Sequence, residues 1–253
     1  MRIALALALA LVLVAAVPAA AARRPSPRAQ SQAVAAELAR DQLVSCGGSH
    51  GNAVALTFDD GPSPYSAAIV RTLRRFHARA TFFLVGNRLQ YWPKAARLDA
   101  SVGAIGNHTW SHPDLRRLPT WLVWLEVVQT QAAIEEDTGV TPVLFRVPYA
   151  LHTLRTDETV RNLGLLEVFW DVDSQDDLPE ARVSDVVRNV ERGLRPGAIV
   201  IMHDLHPWTV AALPQILAAI HKRHLRAVTV PELLAEDPPA ANQRCPYSPV
   251  AGD

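Results

Sequence analysis

The stretch AVALTFDDGP, residues 53–62, decides how the rest of the chain is read. Ala53–Phe58 is a short apolar run closed by a Gly61-Pro62 turn, the pattern of a buried strand. The strand runs out on two adjacent carboxylates, Asp59 and Asp60. Neighbouring carboxylates repel and are costly to desolvate unless a cation holds one of them. The division of labour this suggests is that one binds a metal and the other accepts a proton. Without a cation, the same residues form a solvated turn, where Asp and Gly are common.

Working outward from this strand, short apolar runs alternate with amphipathic stretches. Ser66–Phe76 has Ile69, Val70, Leu73 and Phe76 at helical spacing. Ala80–Val85 reads as the next strand, residues 93–101 as a helix and Val102–Ile105 as a short strand. Trp121–Thr138 reads as a long helix stopped by Gly139. Then follow Leu144–Arg146 (strand), Glu158–Leu163 (helix), Glu167–Trp170 (extended), Val183–Leu194 (helix) and Ala198–Met202 (extended). Val210–Arg223 (helix), Ala227–Thr229 (extended) and a helical turn at Pro231–Leu234 complete the series. Alternation of this kind predicts an α/β domain on a mainly parallel sheet, a distorted or incomplete (β/α) barrel. No repeat of 20–50 residues is present, which argues against a solenoid or propeller.

The polar clusters fall after the predicted strands: Asp59-Asp60, His108, Arg146, Asp171–Asp177 and His203. In such folds the chemistry sits on loops at the C-terminal strand ends. Asn107-His108-Thr109-Trp110-Ser111-His112 carries two histidines four apart, able to face one point as neutral ligands of zinc or a related ion. Taken without the other clusters, they are equally two surface or capping histidines. With Asp60 they make three protein ligands, the number that catalytic metal sites use while leaving a position for water and substrate. His203 ends the run Ile199–Met202, with His206 close behind it; either can serve as a ligand or an acid, a histidine at a strand's C-terminal end suits a general acid near neutral pH, and a packing histidine is the alternative. Arg146 follows an apolar strand and needs a carboxylate partner if buried, for which Asp59 is the candidate. One of Asp171, Asp173, Asp176 and Asp177 is placed to orient the histidine. Together these groups describe metal-assisted acyl hydrolysis, with Asp59 as base and His203 as acid.

The whole sequence sets the setting for that chemistry. The 253 residues are 49% hydrophobic and 20% charged, enough for one domain with a sizeable core. The formal net charge is zero, so nothing in it points to nucleic acid or an anionic membrane surface. Residues 1–22 read as an export signal: Arg2, an apolar run from Ile3 to Val17, then Pro18 and small residues suited to cleavage. About fifteen apolar residues fall short of the roughly 20 that span a bilayer, so no stable membrane association is expected once the signal is removed. A secreted chain follows, with cell-wall association allowed. Residues 23–45 read as a linker with a short helix near Ala33–Arg40, residues 46–235 as the catalytic domain, and residues 236–253 as a proline-rich tail. Cys46 and Cys245 flank the domain, and in an exported chain such a pair forms a disulfide tying its ends together; two unpaired thiols are the alternative.

In this order the motifs resemble the polysaccharide deacetylases of NodB-homology type, carbohydrate esterase family four, over about residues 50–235. Thr57–Pro62 is similar to the family's first motif, which implies Asp59 as catalytic base and Asp60 as metal ligand. His108 and His112 match the second motif's metal-binding histidines. Arg146, Pro148 and Tyr149 match the third, whose arginine supports the base and whose tyrosine N–H helps form the oxyanion hole. Asp176 matches the fourth-motif aspartate that tunes the acid, and His203 matches the acid. The resemblance implies a distorted, incomplete barrel of NodB-homology type, a divalent metal that is usually Zn2+, and an acetylated carbohydrate polymer as partner, the chain acting as a monomer.

Four positions depart from the family pattern, the mildest being Ile201, where the fifth motif's Leu-x-His is Ile201-Met202-His203. Arg-Pro-Pro-Tyr-Gly is here Arg146-Val147-Pro148-Tyr149-Ala150, and Ala150 is strained if the loop needs φ > 0. The fourth motif's Asp-Trp is Asp176-Asp177, which removes an apolar wall beside the acid. The leading expectation is removal of acetyl groups from N-acetylglucosamine-containing polysaccharide, peptidoglycan or chitin-like oligomers. The alternatives are an O-acetyl xylan esterase and an inactive carbohydrate-binding protein on the same fold.

Overall fold

β1 (Ala53–Gly61) lies in the middle of the sheet, and its side chains alternate between two cores. Val54, Leu56 and Phe58 point into an outer layer against helices, whereas Ala53 and Ala55 join an inner cluster with Ile199, Ile201 and Phe83. The two-residue period of a strand therefore sends Thr57 and Asp59 to the inside as well. The computed structural model describes residues 24–40, 43–241, 243 and 245. The expected export signal, residues 1–22, lies outside them.

Around β1 stand β2 (Ala80–Leu84), β3 (Gly103–Asn107), β4 (Leu144–Phe145), β5 (Leu166–Glu167), β6 (Val172–Asp173), β7 (Ile199–His203) and β8 (Arg226–Val228). Their order is β5-β4-β3-β2-β1-β7-β6, with β8 beside the start of β1, and every pairing is parallel. No ladder joins β5 to β6 among the described residues, so the curled sheet is an incomplete barrel, as expected. The chain itself crosses this seam between Glu167 and Val172, with Val168 bridging to Val44.

Helices cover the outside: α1 (Pro27–Ala39), α2 (Ser66–Arg75), α3 (Gly86–Leu89), α4 (Pro93–Ala100), α5 (Thr120–Thr138), α6 (Leu154–Asn162), α7 (Val183–Gly193), α8 (Pro207–Lys222) and α9 (Val230–Glu236). α5 ends where Gly139 turns left-handed at φ 72°. α1 starts six residues before the expected Ala33, because Ser26 accepts from the Ala29 N–H and Pro27 takes the first helical position. It packs against α9 and buries Val34. α6 also starts early, at Leu154, where Thr153 and Thr156 form a reciprocal capping box. Cys46 and Cys245 are joined in a disulfide. No helix among the described residues is long and apolar enough to cross a membrane.

Candidate active site

One irregularity at the end of β1 brings both carboxylates to the same place. In a regular strand Asp60 would point to the helix layer, opposite Asp59. The register against β2 slips between Asp59 and Gly61, and Asp60 adopts φ 70°. This bulge turns the Asp60 carboxylate into the cavity that Asp59 already faces.

Behind Asp59, Arg146 is completely buried. Its Nη1 donates to Asp59 Oδ1 at 2.7 Å and to Thr57 Oγ1 at 2.7 Å. Its Nε and Nη2 donate to the carbonyls of Val168 and Phe169, at 2.9 and 3.0 Å. Those carbonyls belong to the segment crossing the seam, so the guanidinium closes the barrel gap and holds the aspartate at once. The Phe83 ring lies under it at 4.2 Å. Gly106 pairs with Phe83 across the strands and leaves room for the ring, since a Cβ there would meet it at 2.4 Å. Burial raises the Asp59 carboxyl above the ordinary carboxylate range, with Arg146 opposing.

β3 delivers the histidines. Asn107 accepts from the Thr109 N–H and donates to the Val127 carbonyl, fixing the loop to α5. Glu126 of α5 accepts from the Trp110 and Ser111 N–H groups and from the Ser111 hydroxyl, at 2.8–2.9 Å. His108 Nδ1 lies 2.6 Å from the Arg146 carbonyl. A carbonyl only accepts, so Nδ1 carries the proton and Nε2 presents its lone pair. His108 Nε2 and His112 Nε2 are 3.2 Å apart, and Asp60 Oδ1 stands 3.6 and 3.2 Å from them. Burial, then His112, push the His108 imidazole down to about 3, against Asp60. Burial also lowers His112. These are neutral imidazoles beside a carboxylate, a group able to hold a metal ion.

The opposite wall holds His203. Its Nδ1 donates to Asp176 Oδ1 at 2.7 Å, and its main-chain N–H to Oδ2 at 2.8 Å. The Ser174 and Thr209 hydroxyls donate to the same carboxylate. Burial alone would lower the His203 pKa; the Asp176 hydrogen bond and charge, and after them Asp59 and Asp60, push it up to about 10. Asp176 itself, though burial raises it, ends below its usual range through His203.

A cavity of about 230 Å3 connects these walls, lined by Asp59, Asp60, His108, His112, Tyr149 and His203 among others. Arg146 and Asp176 stand directly behind it. Tyr149 and Ala150 both have positive φ, 61° and 55°, so the loop does use the conformation that a glycine would take more cheaply. Tyr149 packs edge-on against His112. His206 also lines the cavity, stacked on Trp208, whose indole N–H donates to the Asp176 carbonyl. Asp173 and Asp177 are on its rim, and Trp170 supplies an apolar surface. Asp171 is not there; it accepts from the Ile199 N–H and pairs with Arg195. A larger cavity, about 380 Å3, lies at the N-terminal strand ends among Arg79, Arg226 and Glu232, away from these groups.

Some supporting residues gave no signal in the sequence. Glu126 reads as an ordinary helical acid. Asp99 and Asp204 are buried around the Ser66 hydroxyl, 3.1 Å from each. Burial raises both, Asp204 to about 7 and Asp99 well above its range with the help of Asp204's charge.

Residues 47–168 match the polysaccharide deacetylase family. Over 185 residues the chain is 34% identical to the peptidoglycan-N-acetylglucosamine deacetylase PgdA of Listeria monocytogenes, covering 72% of this chain and 39% of that one. It is 32% identical to the chitooligosaccharide deacetylase of a Bradyrhizobium species, covering 71% of this chain and 90% of the relative. A family 4 carbohydrate esterase from Streptomyces lividans, solved in complex with acetate, superposes with a TM-score of 0.66 at 35% identity, covering 72% of this chain and 93% of that one. The fold and the cavity are those of a curled α/β half-barrel carrying its polar groups at the C-terminal strand ends. The chain belongs to the polysaccharide deacetylase family. It spans about two fifths of the length of PgdA.

Proposed function

We propose that the chain is a metal-dependent deacetylase acting on N-acetylglucosamine-containing polysaccharide, peptidoglycan or chitin-like oligomers. The observation that carries this is the convergence of Asp60 Oδ1, His108 Nε2 and His112 Nε2 at 3.2–3.6 Å, with Asp59 and His203 facing the same cavity. Tetrahedral ligands about 2.0–2.2 Å from a zinc ion stand about 3.3–3.6 Å from one another, so the three atoms already have the spacing such an ion requires. The His2Asp set leaves one position open and favours Zn2+. When bound, the cation lowers the pKa of a water to roughly 7 and polarises the acetyl carbonyl.

The residues do the rest. Asp59 Oδ1 is held by Arg146, leaving Oδ2 to accept the proton of the attacking water. Its raised pKa makes it a stronger acceptor of that proton. The Tyr149 N–H serves the oxyanion of the tetrahedral intermediate. His203, kept protonated by Asp176, gives its Nε2 proton to the leaving amine. The names of the relatives support the N-acetylglucosamine reading, and the Streptomyces lividans carbohydrate esterase supports a second one, hydrolysis of O-acetyl esters of a carbohydrate, for which acetylxylan is the test substrate. Both share the tetrahedral intermediate. The Cys46–Cys245 disulfide supports export of the chain. Acetate release from chitooligosaccharide, peptidoglycan and acetylxylan, with chelator and then with added zinc, tests the proposal. Zinc-dependent release from the first two is expected. Release from acetylxylan alone selects the esterase, and release from none of them leaves an inert binding protein.

A further inference from the structure

A second histidine–carboxylate group lies outside the cavity described above. His152 follows the Tyr149–Ala150 turn, Asp157 is in the first turn of α6, and Glu167 ends β5. All three are buried, at 1%, 8% and 6% exposure, and they line a cavity of about 260 Å3 closed on one side by Leu38 and Leu43. His152 Nδ1 lies 3.0 Å from both Asp157 oxygens. That separation is close to the one kept by two ligands of a single ion, and the ring's other nitrogen, Nε2, lies on the side away from Asp157. Neither His152 Nε2 nor Glu167 Oε2 has a hydrogen-bond partner, although both are buried. Hence no proton bridge joins the imidazole to Glu167.

Such orphans are costly, because a buried polar atom without a partner has lost its water and gained no hydrogen bond in exchange. Burial, and then the like charge of Asp157, drive the Glu167 carboxyl well above its usual range against Arg161. One ligand atom from each of the three residues lies within 4.8 Å of the others. An ion seated there would take the place of the Nδ1 proton and be held by Nδ1, an Asp157 oxygen and a Glu167 oxygen. The set holds one nitrogen and several carboxylate oxygens and no thiolate, which suits zinc or manganese.

We propose that His152, Asp157 and Glu167 form a second divalent-cation site, independent of the catalytic one. The cation joins the loop before α6 to the end of β5. From there the chain continues into Val168 and Phe169, whose carbonyls hold Arg146. The site thereby fixes the guanidinium that positions Asp59, without touching substrate.

The test uses the full chain carrying Asp60→Ala and His108→Ala, which removes the catalytic ligands and makes the result independent of the proposed activity. The protein is equilibrated with zinc, freed of unbound metal, and its metal content and Tm are measured. One zinc per chain and a higher Tm than in the chelated sample are expected. Adding Glu167→Gln, which keeps the shape of the side chain, should remove both the zinc and the rise in Tm, and His152→Gln should do the same. A chain with the catalytic ligands removed that holds no zinc would overturn the proposal. So would zinc retained after Glu167→Gln with an unchanged Tm response.

Discussion

His108 and His203 face one cavity, and the groups behind them drive them to opposite charge states. Behind His108 stands the carbonyl of Arg146, which fixes the tautomer but brings no negative charge, and the imidazole falls to about 3. Behind His203 stands the Asp176 carboxylate, and the imidazole rises to about 10. Both are heavily buried, so burial alone would make both neutral. For these two residues the partner of Nδ1 sets the charge: His108, on a neutral acceptor, stays neutral, and His203, on an anionic one, is held protonated. The two walls can therefore be altered separately.

The largest effect is expected on the ligand wall. Asp60→Ala or His108→Ala should remove the cation from that site and reduce acetate release to background, checked by metal analysis of an Asp60→Ala sample against wild type. On the acid wall, His203→Ala should leave that cation in place and lower kcat by about 10²–10⁴-fold, the range of general acid catalysis. Asp59→Asn should give a similar loss with the cation retained, since the proposed role of Asp59 is that of base and not of ligand.

Asp176→Asn sharpens the comparison through pH. The acid must be protonated, so activity is lost as pH rises through the His203 pKa. Removing the Asp176 charge lowers that pKa, and the basic limb of the rate profile should move to lower pH, read from kcat against pH. The same raised pKa stabilises the folded chain below the unfolded histidine value, about 6.5, and that contribution is lost as pH rises towards 10. Glu126→Gln should weaken cation binding by about 10–100-fold while leaving the acid wall unchanged, because Glu126 holds only the loop between His108 and His112. A competition assay with a chromophoric chelator reads it. The smallest effect belongs to Ala150→Gly. The left-handed conformation costs a non-glycine residue about 1–2 kcal/mol, and glycine gives part of that back as unfolded-chain entropy, so a gain of about 0.5–1 kcal/mol is expected in thermal unfolding.

The ligand wall was the more legible of the two in the sequence. Its residues occur as two local clusters, Asp59-Asp60 and His108–His112, at the ends of recognisable strands. Their convergence needed only parallel strands and a common end of the barrel. The base of the acid wall was harder to assign: four aspartates follow Trp170 within seven residues, and local pattern alone did not separate Asp176 from Asp171. The separation is tertiary, since Asp171 meets Arg195 and Asp176 meets His203. Arg146 was expected to pair with Asp59 and does, yet its bonds to the Val168 and Phe169 carbonyls depend on a gap in the barrel that no local pattern announces. Glu126, Asp99 and Asp204 stayed invisible for the same reason. The bulge at Asp60 leaves no mark either, because a strand ending in two aspartates reads the same with or without it.

The most direct test is the imidazole nitrogen spectrum of the zinc-loaded chain at neutral pH. The cation offsets the contributions of Asp59 and Asp60 to His203, but the larger contributions come from Asp176 and persist. His203 protonated on both nitrogens is expected, with His108 and His112 neutral and bound to zinc through Nε2. A neutral His203, or His108 and His112 titrating freely with zinc present, would contradict it.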